Sequence, residues 1–188
     1  LDANNNGLRD AGETTGVAGV TLTLSGTDDL GAAVNTTTTT DGAGAYSFSD
    51  LRPGTYQIVE TQPALWTNGG TNVGTVGGTA RGDGSVSDTI STIVLGGGEA
   101  GINYDFGELG QALSGFVYVD LDRNGTRDAA TEPGIAGVTV TATNQGTAAV
   151  TTVLTDASGA YSFPHLPAGT YTIRETQPVH YADGAESL

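Results

Sequence analysis

The stretch Gly16-Val-Ala-Gly-Val-Thr-Leu-Thr-Leu24 ends in a strict alternation of apolar and polar residues. Alternation with a period of two, rich in β-branched side chains, is typical of a strand with one buried face. The pattern returns in Tyr56-Gln-Ile-Val59, Phe116-Val-Tyr-Val119 and Val138-Thr-Val-Thr-Ala142. Gly, Asn, Asp and Pro clusters separate these segments, and no segment of helical length shows a 3.6-residue period. The chain is therefore predicted to be all-β.

The alternating stretches belong to a long internal repeat. Asp2-Ala-Asn-Asn-Asn-Gly-Leu-Arg-Asp10 recurs as Asp120-Leu-Asp-Arg-Asn-Gly-Thr-Arg-Asp128, 118 residues further on. Thr40-Asp-Gly-Ala-Gly-Ala-Tyr-Ser-Phe48 recurs as Thr155-Asp-Ala-Ser-Gly-Ala-Tyr-Ser-Phe163, after 115 residues. A period of this size suits a whole β domain and is far too long for a solenoid unit. We therefore predict tandem antiparallel Greek-key β-sandwiches, one per repeat.

The predicted domains cover residues 1–109 and 110–188, with a very short linker at Leu109–Ala112. The second repeat opens with a predicted strand, Leu113–Val119, whereas the first has only Leu1 there, so its first strand is expected to be missing. The second repeat stops at Leu188, near the equivalent of Val73, so its C-terminal strands are expected to be missing. The sequence is thus expected to be a window from a longer array.

Composition excludes several classes of protein. The 188 residues carry a formal net charge of −15, from 21 acidic residues and 6 basic residues that are all Arg. This balance argues against nucleic acid or an anionic membrane surface as a partner, because both need clustered basic side chains. The chain has no Cys, which excludes disulfides and thiolate metal sites. No apolar run of about 18 residues is present, so no transmembrane helix is expected.

The two Asp-rich segments carry the strongest chemical signal. In loop 1 (residues 2–13), side-chain oxygens occupy positions 1, 3, 5, 9 and 12, and glycine occupies position 6. This is the spacing of an EF-hand calcium loop, in which short side chains point inward, glycine permits the sharp turn and a glutamate closes the shell. The predicted calcium ligands, with the backbone carbonyl of position 7 included, are Asp2, Asn4, Asn6, Leu8, Asp10 and Glu13.

Loop 2 (residues 120–132) keeps most of this pattern. Position 12 is Thr131, so either Glu132 reaches in from position 13 or water completes the shell. The alternative for both loops is a plain polar turn, since Asn-Gly and Asp favour turns anyway. Two copies of the pattern favour calcium, in loops that are EF-hand-like because strands flank them. The predicted ligands of loop 2, with the carbonyl of position 7, are Asp120, Asp122, Asn124, Thr126, Asp128 and Glu132.

The order of motifs resembles one family. After each Asp-rich loop come Gly-Val/Ile-Ala-Gly-Val, Thr-Asp-x-x-Gly-Ala-Tyr-Ser-Phe, Leu-x-x-Gly-Thr-Tyr and Glu-Thr-Gln-Pro, as in the SdrD B-like domain family. The resemblance implies calcium-binding, Ig-like or prealbumin-like repeats of large bacterial surface proteins and adhesins. It also implies a place outside the cell, at the cell surface, as a rigid stalk or filament module.

Related Cna B-type domains place a glutamate where Glu60 and Glu175 stand, and that glutamate promotes a Lys–Asn isopeptide cross-link. This chain contains no lysine, so the cross-link is not expected, and each glutamate is expected to bond backbone or face water. An enzyme is not expected either. His165 and His180 have no counterparts in the first repeat, and no nucleophile motif accompanies them.

The expected function is a calcium-stabilised structural repeat of a long extracellular protein. The alternatives are a ligand-binding adhesin module that uses Trp66–Gly98, or an accessory domain of a secreted enzyme. The expected partners are neighbouring repeats or like subunits. The missing strands are either cut away or supplied by a neighbouring subunit, which would pair beside Val20–Leu24 or Tyr171–Arg174 and give a homopolymer.

Overall fold

The computed structural model describes residues 1–182, and every regular element within that range is a β-strand. The predicted all-β class is therefore confirmed. The chain divides into two compact units after Gly110. Unit 1 contains β1 (Thr21–Asp28), β2 (Ala33–Thr39), β3 (Gly54–Glu60), β4 (Thr67–Asn72), β5 (Thr75–Val76), β6 (Thr79–Ala80), β7 (Asp83–Val86), β8 (Thr89–Leu95), β9 (Gly101–Ile102) and β10 (Asp105–Leu109). Unit 2 contains β11 (Gln111–Phe116), β12 (Thr139–Asn144), β13 (Val150–Leu154), β14 (Ala160–Leu166) and β15 (Tyr171–Glu175).

Unit 1 is built on a five-stranded antiparallel sheet in the order β2-β1-β3-β8-β7. The small antiparallel sheets β10-β4 and β6-β5-β9 accompany it. The alternation read from the sequence is the burial pattern of β1, where Leu22 and Leu24 are buried between half-exposed threonines. They pack with Tyr56, Ile58 and Ile90 in one hydrophobic cluster. The period-two pattern therefore gives the sheet its buried face.

Unit 2 repeats the central part of this arrangement in a smaller form. Its sheets are β13-β12-β15 and β11-β14, all antiparallel, and its core joins Val140, Ala142 and Phe163. The predicted strand at Leu113–Val119 is displaced: β11 begins at Gln111 and ends at Phe116. The predicted linker is correspondingly shorter, since β10 and β11 leave only Gly110 between them.

The two units share one hydrogen bond between a tyrosine hydroxyl and the backbone. The Tyr56 hydroxyl donates to the Arg52 carbonyl at 2.7 Å, and the Tyr171 hydroxyl donates to the Pro167 carbonyl at 2.6 Å. A tyrosine that bonds backbone a few residues upstream at a sheet corner is a hallmark of Ig-like sandwiches. The motif Leu-x-x-Gly-Thr-Tyr thus encodes a corner of the fold in each repeat.

The two units differ at one segment of matching sequence. In unit 2, β14 forms an antiparallel ladder with β11. In unit 1 the matching residues 45–51 form no strand, and none of the described residues 1–182 supplies them with a ladder partner. The expected position for a donated strand beside Val20–Leu24 is wrong, because β1 already pairs with β2 on one edge and β3 on the other. Residues 45–51 of unit 1 lack the ladder that their counterparts in unit 2 form.

No helix within the described range has the length and apolar character needed to cross a membrane.

Candidate calcium loops and a buried carboxylate cluster

Loop 1 folds around its own side-chain oxygens. The Asp2 carboxylate accepts backbone N–H groups of Asn6 at 3.1 Å and Gly7 at 2.8 Å. Gly7 has a φ of +75°, which an L side chain rarely adopts, and a Cβ there would lie 3.2 Å from the Thr71 carbonyl oxygen. Glycine at position 6 is therefore required by both the turn and the close approach.

Two further predicted ligands of loop 1 donate hydrogen bonds to a third, Asp10. The side-chain amides of Asn4 and Asn6 both donate to one oxygen of Asp10, at 2.9 Å in each case. The Asn6 side-chain oxygen accepts the Leu8 N–H at 2.7 Å, which turns the chain at position 7. Every predicted side-chain ligand of loop 1 carries at least one oxygen atom, which is the ligand type that calcium requires.

Loop 2 has the same construction with one acidic substitution. Asp120 accepts the N–H groups of Asn124 and Gly125 at 3.2 Å each, as Asp2 does for its own loop. Asp122 replaces Asn4, and carboxylate oxygens of Asp120, Asp122 and Glu132 lie within 4.8 Å of one another. Three carboxylates this close repel one another unless a cation or a proton lies between them.

Asn124 and Thr126 complete the turn of loop 2. The Asn124 side-chain oxygen accepts the Thr126 N–H at 2.6 Å, the same contact that Asn6 makes with Leu8. The backbone N–H of Ala130 donates to Asp128 and holds the pKa of that carboxyl below its usual range.

The glutamates that close the two loops make equivalent contacts. Glu13 accepts the N–H of Ala3 at 2.7 Å and of Asp10 at 2.9 Å. Glu132 accepts the N–H of Leu121 at 3.0 Å and of Asp128 at 2.8 Å, from the same two loop positions. Both glutamates are buried. Glu132 thus lies over loop 2 from position 13 as Glu13 lies over loop 1 from position 12.

A second cluster of carboxylates lies in unit 1, outside both loops, and the sequence analysis did not anticipate it. Glu60 ends β3, Asp88 lies in the turn between β7 and β8, and Glu108 is in β10. Oxygens of the three groups lie within 4.8 Å of one another. The period-two pattern of β3 was an available signal, because it places Glu60 on the same face as buried Tyr56 and Ile58.

Burial governs the charge of this cluster. Burial, together with the negative charges of Glu108 and Asp88, raises the pKa of Glu60 to about 8. Burial also raises the pKa of Glu108, although the side-chain amide of Gln62 opposes this by donating to it at 2.7 Å. No arginine within residues 1–182 forms an ion pair with any of the three. The matching glutamate of unit 2, Glu175, is exposed.

Comparison with known proteins assigns the chain to a family. The model of the SdrD B-like domain matches residues 1–108 and again residues 111–187. The chain belongs to the SdrD B-like domain family. Family membership makes it a structural repeat of a surface protein, located outside the cell at the cell surface. The resemblance inferred from the motifs is thereby confirmed.

Similar curated proteins are much longer than this chain. Serine-aspartate repeat-containing protein D of Staphylococcus aureus (strain Newman) is 35% identical over 181 residues, which cover 96% of this chain and 13% of that protein. Serine-aspartate repeat-containing protein E of S. aureus (strain MSSA476) is 32% identical over 178 residues, 94% of this chain and 15% of that protein. Colossin-A of Dictyostelium discoideum is 31% identical over 194 residues, covering 100% of this chain and 2% of its own length. No solved structure matches the chain significantly.

Proposed function

We propose that the chain is a calcium-stabilised structural repeat and that loops 1 and 2 each bind one calcium ion. The observation that carries this proposal is the equivalence of Glu13 and Glu132. Both close their loops through the same two backbone N–H groups, although Glu132 stands one position later in its loop. Two loops that conserve one shape despite an insertion are better explained by a common ligand than by two independent polar turns.

The loops fit calcium through their chemistry. Loop 1 has three carboxylates and loop 2 has four, and the other side-chain donors are Asn amides. When bound, calcium supplies the positive charge that these carboxylates lack, and it takes six to eight oxygen ligands in flexible geometry. The protein's own residues preset the turn, through Gly7 and Gly125 at positive φ and through the backbone N–H groups that hold the carboxylates.

The energetic consequence is that the fold becomes dependent on calcium. If free calcium is about 1 mM and a site has a dissociation constant of about 1 μM, mass action stabilises the fold by about 4 kcal/mol per site. Chelation is therefore expected to lower the melting temperature markedly. Differential scanning calorimetry with calcium and with excess chelator measures this directly, and superimposable melting curves would contradict the proposal.

Single variants assign the effect to the loops. Glu132→Gln keeps the size of the side chain and removes one carboxylate, so calcium affinity at loop 2 is expected to fall at least tenfold in a calorimetric titration. Asp50→Asn is the matched control, because Asp50 is an exposed carboxylate outside both loops with a φ of +58°, which Asn tolerates. An equal loss of affinity in both variants would show only a general effect of charge.

We also propose that residues 45–51 of unit 1 accept a β-strand of the Gln111–Phe116 type, from a preceding repeat or from a second copy of the chain. Support comes from unit 2, where the matching residues form β14 and pair with β11. A cavity of about 100 Å³ in unit 1, lined in part by Val17, Val20 and Tyr46, offers room for apolar side chains of an added strand. In unit 2, Leu113 of β11 and nearby Val117 pack against the core.

Catalysis forms no part of the proposed function. Support for this comes from the relatives, whose names describe repeat-containing proteins and no enzyme.

A further inference from the structure

The cluster of Glu60, Asp88 and Glu108 has no role in either calcium loop. These groups come from three separate strands or turns of unit 1 and are brought together only by the fold. Glu60 is 7% exposed and Glu108 is 2% exposed, so each side chain is more than nine-tenths buried. Carboxylates are rarely buried to this extent unless a partner compensates for the water that they lose.

The protein itself does not supply that partner completely. One oxygen of each group, Glu60 Oε2, Asp88 Oδ1 and Glu108 Oε1, is buried and accepts no hydrogen bond. Gln62 donates only to the other oxygen of Glu108. The carboxyl groups of Glu60 and Glu108 lie within hydrogen-bond reach of each other, so a proton held by one of them can be donated to the other. Apart from that shared proton, the protein provides no hydrogen-bond donor within residues 1–182 for these three buried oxygens.

We propose that Glu60, Asp88 and Glu108 form a further divalent-cation site in unit 1, with calcium as the ion, separate from loops 1 and 2. The donor set consists of carboxylate oxygens, which select calcium and similar hard cations over metals that prefer nitrogen or sulfur. Glu60 and Glu108, but not Asp88, also line the cavity of about 100 Å³, which is large enough to hold water beside an ion.

The site would tie three parts of unit 1 together. Glu60 ends a strand of the five-stranded sheet, and Glu108 belongs to the separate β10-β4 sheet. The backbone carbonyl of Glu108 also accepts the Asp2 N–H at 2.9 Å, which links the site to the start of loop 1. An ion here would join the five-stranded sheet to the β10-β4 sheet at a place where three carboxyl groups meet.

The test counts calcium ions on the full chain of 188 residues. Native mass spectrometry and isothermal titration with calcium chloride are expected to find three ions on the wild type, two of them in the loops. Glu60→Gln and Glu108→Gln are each expected to bind two. Glu175→Gln is the matched control, because it is the same substitution at the same repeat position in unit 2, and it is expected to keep three.

A loop variant separates this inference from the proposed function. The double variant Glu13→Gln, Glu132→Gln is expected to keep one ion, which Glu60→Gln then removes. If the wild type binds two ions and the loop variant binds none, the inference is wrong while the proposed function stands. If the wild type binds a single ion that Glu60→Gln removes, the loops fail while the inference stands.

The competing account is a proton shared between Glu60 and Glu108. In that case Glu60→Gln, whose amide can donate to Glu108, would leave the calcium count unchanged and raise the melting temperature, and this result would overturn the inference. Circular dichroism checks that each variant is folded. Should a glutamate variant unfold, Asp88→Asn decides, because the backbone at Asp88 has a φ of +57° that Asn adopts readily. Loss of one ion supports the site, and an unchanged count refutes it.

Discussion

Loop 2 has one more residue than loop 1 before its closing glutamate, because Thr131 stands at position 12 and Glu132 at position 13. A wider turn accommodates the additional residue. In loop 1 the Glu13 N–H donates to the Asp10 carbonyl, three residues back, at 2.9 Å. In loop 2 the Glu132 N–H donates to the Asp128 carbonyl, four residues back, at 2.7 Å. The wider turn brings the glutamate to the same place over the loop. Spacing along the chain left this open because it does not specify how a turn accommodates an additional residue.

Gly16 and Gly134 show a second constraint on single positions, which is close approach of backbone. A Cβ at Gly16 would lie 2.1 Å from the Ala43 carbonyl oxygen, and one at Gly134 would lie 1.8 Å from that of Ser158. Each glycine thus lets the segment that follows a loop pack against the hairpin turn between residues 41 and 45, or 156 and 160. Asp41 and Asp156 close these turns by accepting backbone N–H groups.

Gly16→Ala is predicted to destabilise unit 1. The added methyl group meets backbone that has no rotamer to change, and overpacking of this kind costs about 1–3 kcal/mol. Differential scanning calorimetry with calcium present should show a fall of roughly 4–8 °C per kcal/mol in a domain of this size. Gly12→Ala is the control, because nothing lies within 4 Å of its Cβ position. Equal melting temperatures for the two variants would contradict the prediction.

Strands with one strongly apolar face were predictable from the sequence, and strands defined by pairing were not. β1 and β12 carry alternating Val, Leu and Thr, so their period indicates both the strand and its buried face. The Thr-rich run at residues 36–40 falls largely in β2, on the edge of the sheet, as its β-propensity indicates. The Gly-rich β4 has no such period, and it becomes a strand through pairing with β10.

The carboxylate cluster escaped prediction for the same reason. Glu60 and Glu108 belong to different sheets, and their meeting depends on how those sheets pack. The loop residues could be proposed as ligands from the sequence because they lie close together along the chain and follow nearly the same spacing in both loops. A site assembled from distant strands has no such local spacing, and the only trace is an acidic residue on an apolar face.

An added strand is predicted to order residues 45–51. We expect that fusing residues 111–118 in front of Leu1 supplies the counterpart of β11 to unit 1. Amide hydrogen exchange at Tyr46 and Phe48 should then slow at least tenfold, because in unit 2 the matching Tyr161 and Phe163 lie in the ladder with β11.

The control for this fusion carries an aspartate in place of the leucine copied from Leu113. Leu113 packs against the core of unit 2, so the charged version should bind poorly and leave exchange near its original rate. Slowing of exchange by both fusions, or by neither, would show that residues 45–51 do not accept this strand. Concentration-dependent slowing in the unfused chain would instead identify a second copy as the donor.

Across the whole chain, the net charge of −15 opposes folding when calcium is absent. Only six arginines offset the acidic residues, and the loops and the buried cluster concentrate negative charge at particular places. Compaction of a chain with this charge raises its electrostatic self-repulsion. Calcium bound at the proposed sites would remove much of that repulsion locally, where the carboxylates are closest and bulk salt screens least.

The dependence of stability on sodium chloride should therefore differ between the two states of the protein. In chelator, raising sodium chloride from about 0.01 M to about 1 M shortens the Debye length from about 30 Å to about 3 Å and should raise the melting temperature. With saturating calcium the rise should be smaller or reversed, because the salt then screens carboxylates that are already neutralised and weakens the attraction between ion and loop. Calorimetry over a salt series measures both slopes.

A sucrose series gives the contribution of solute exclusion without charge. Parallel slopes with and without calcium would mean that the repulsion is spread over the whole surface, and that the loops are not where the charge opposes folding.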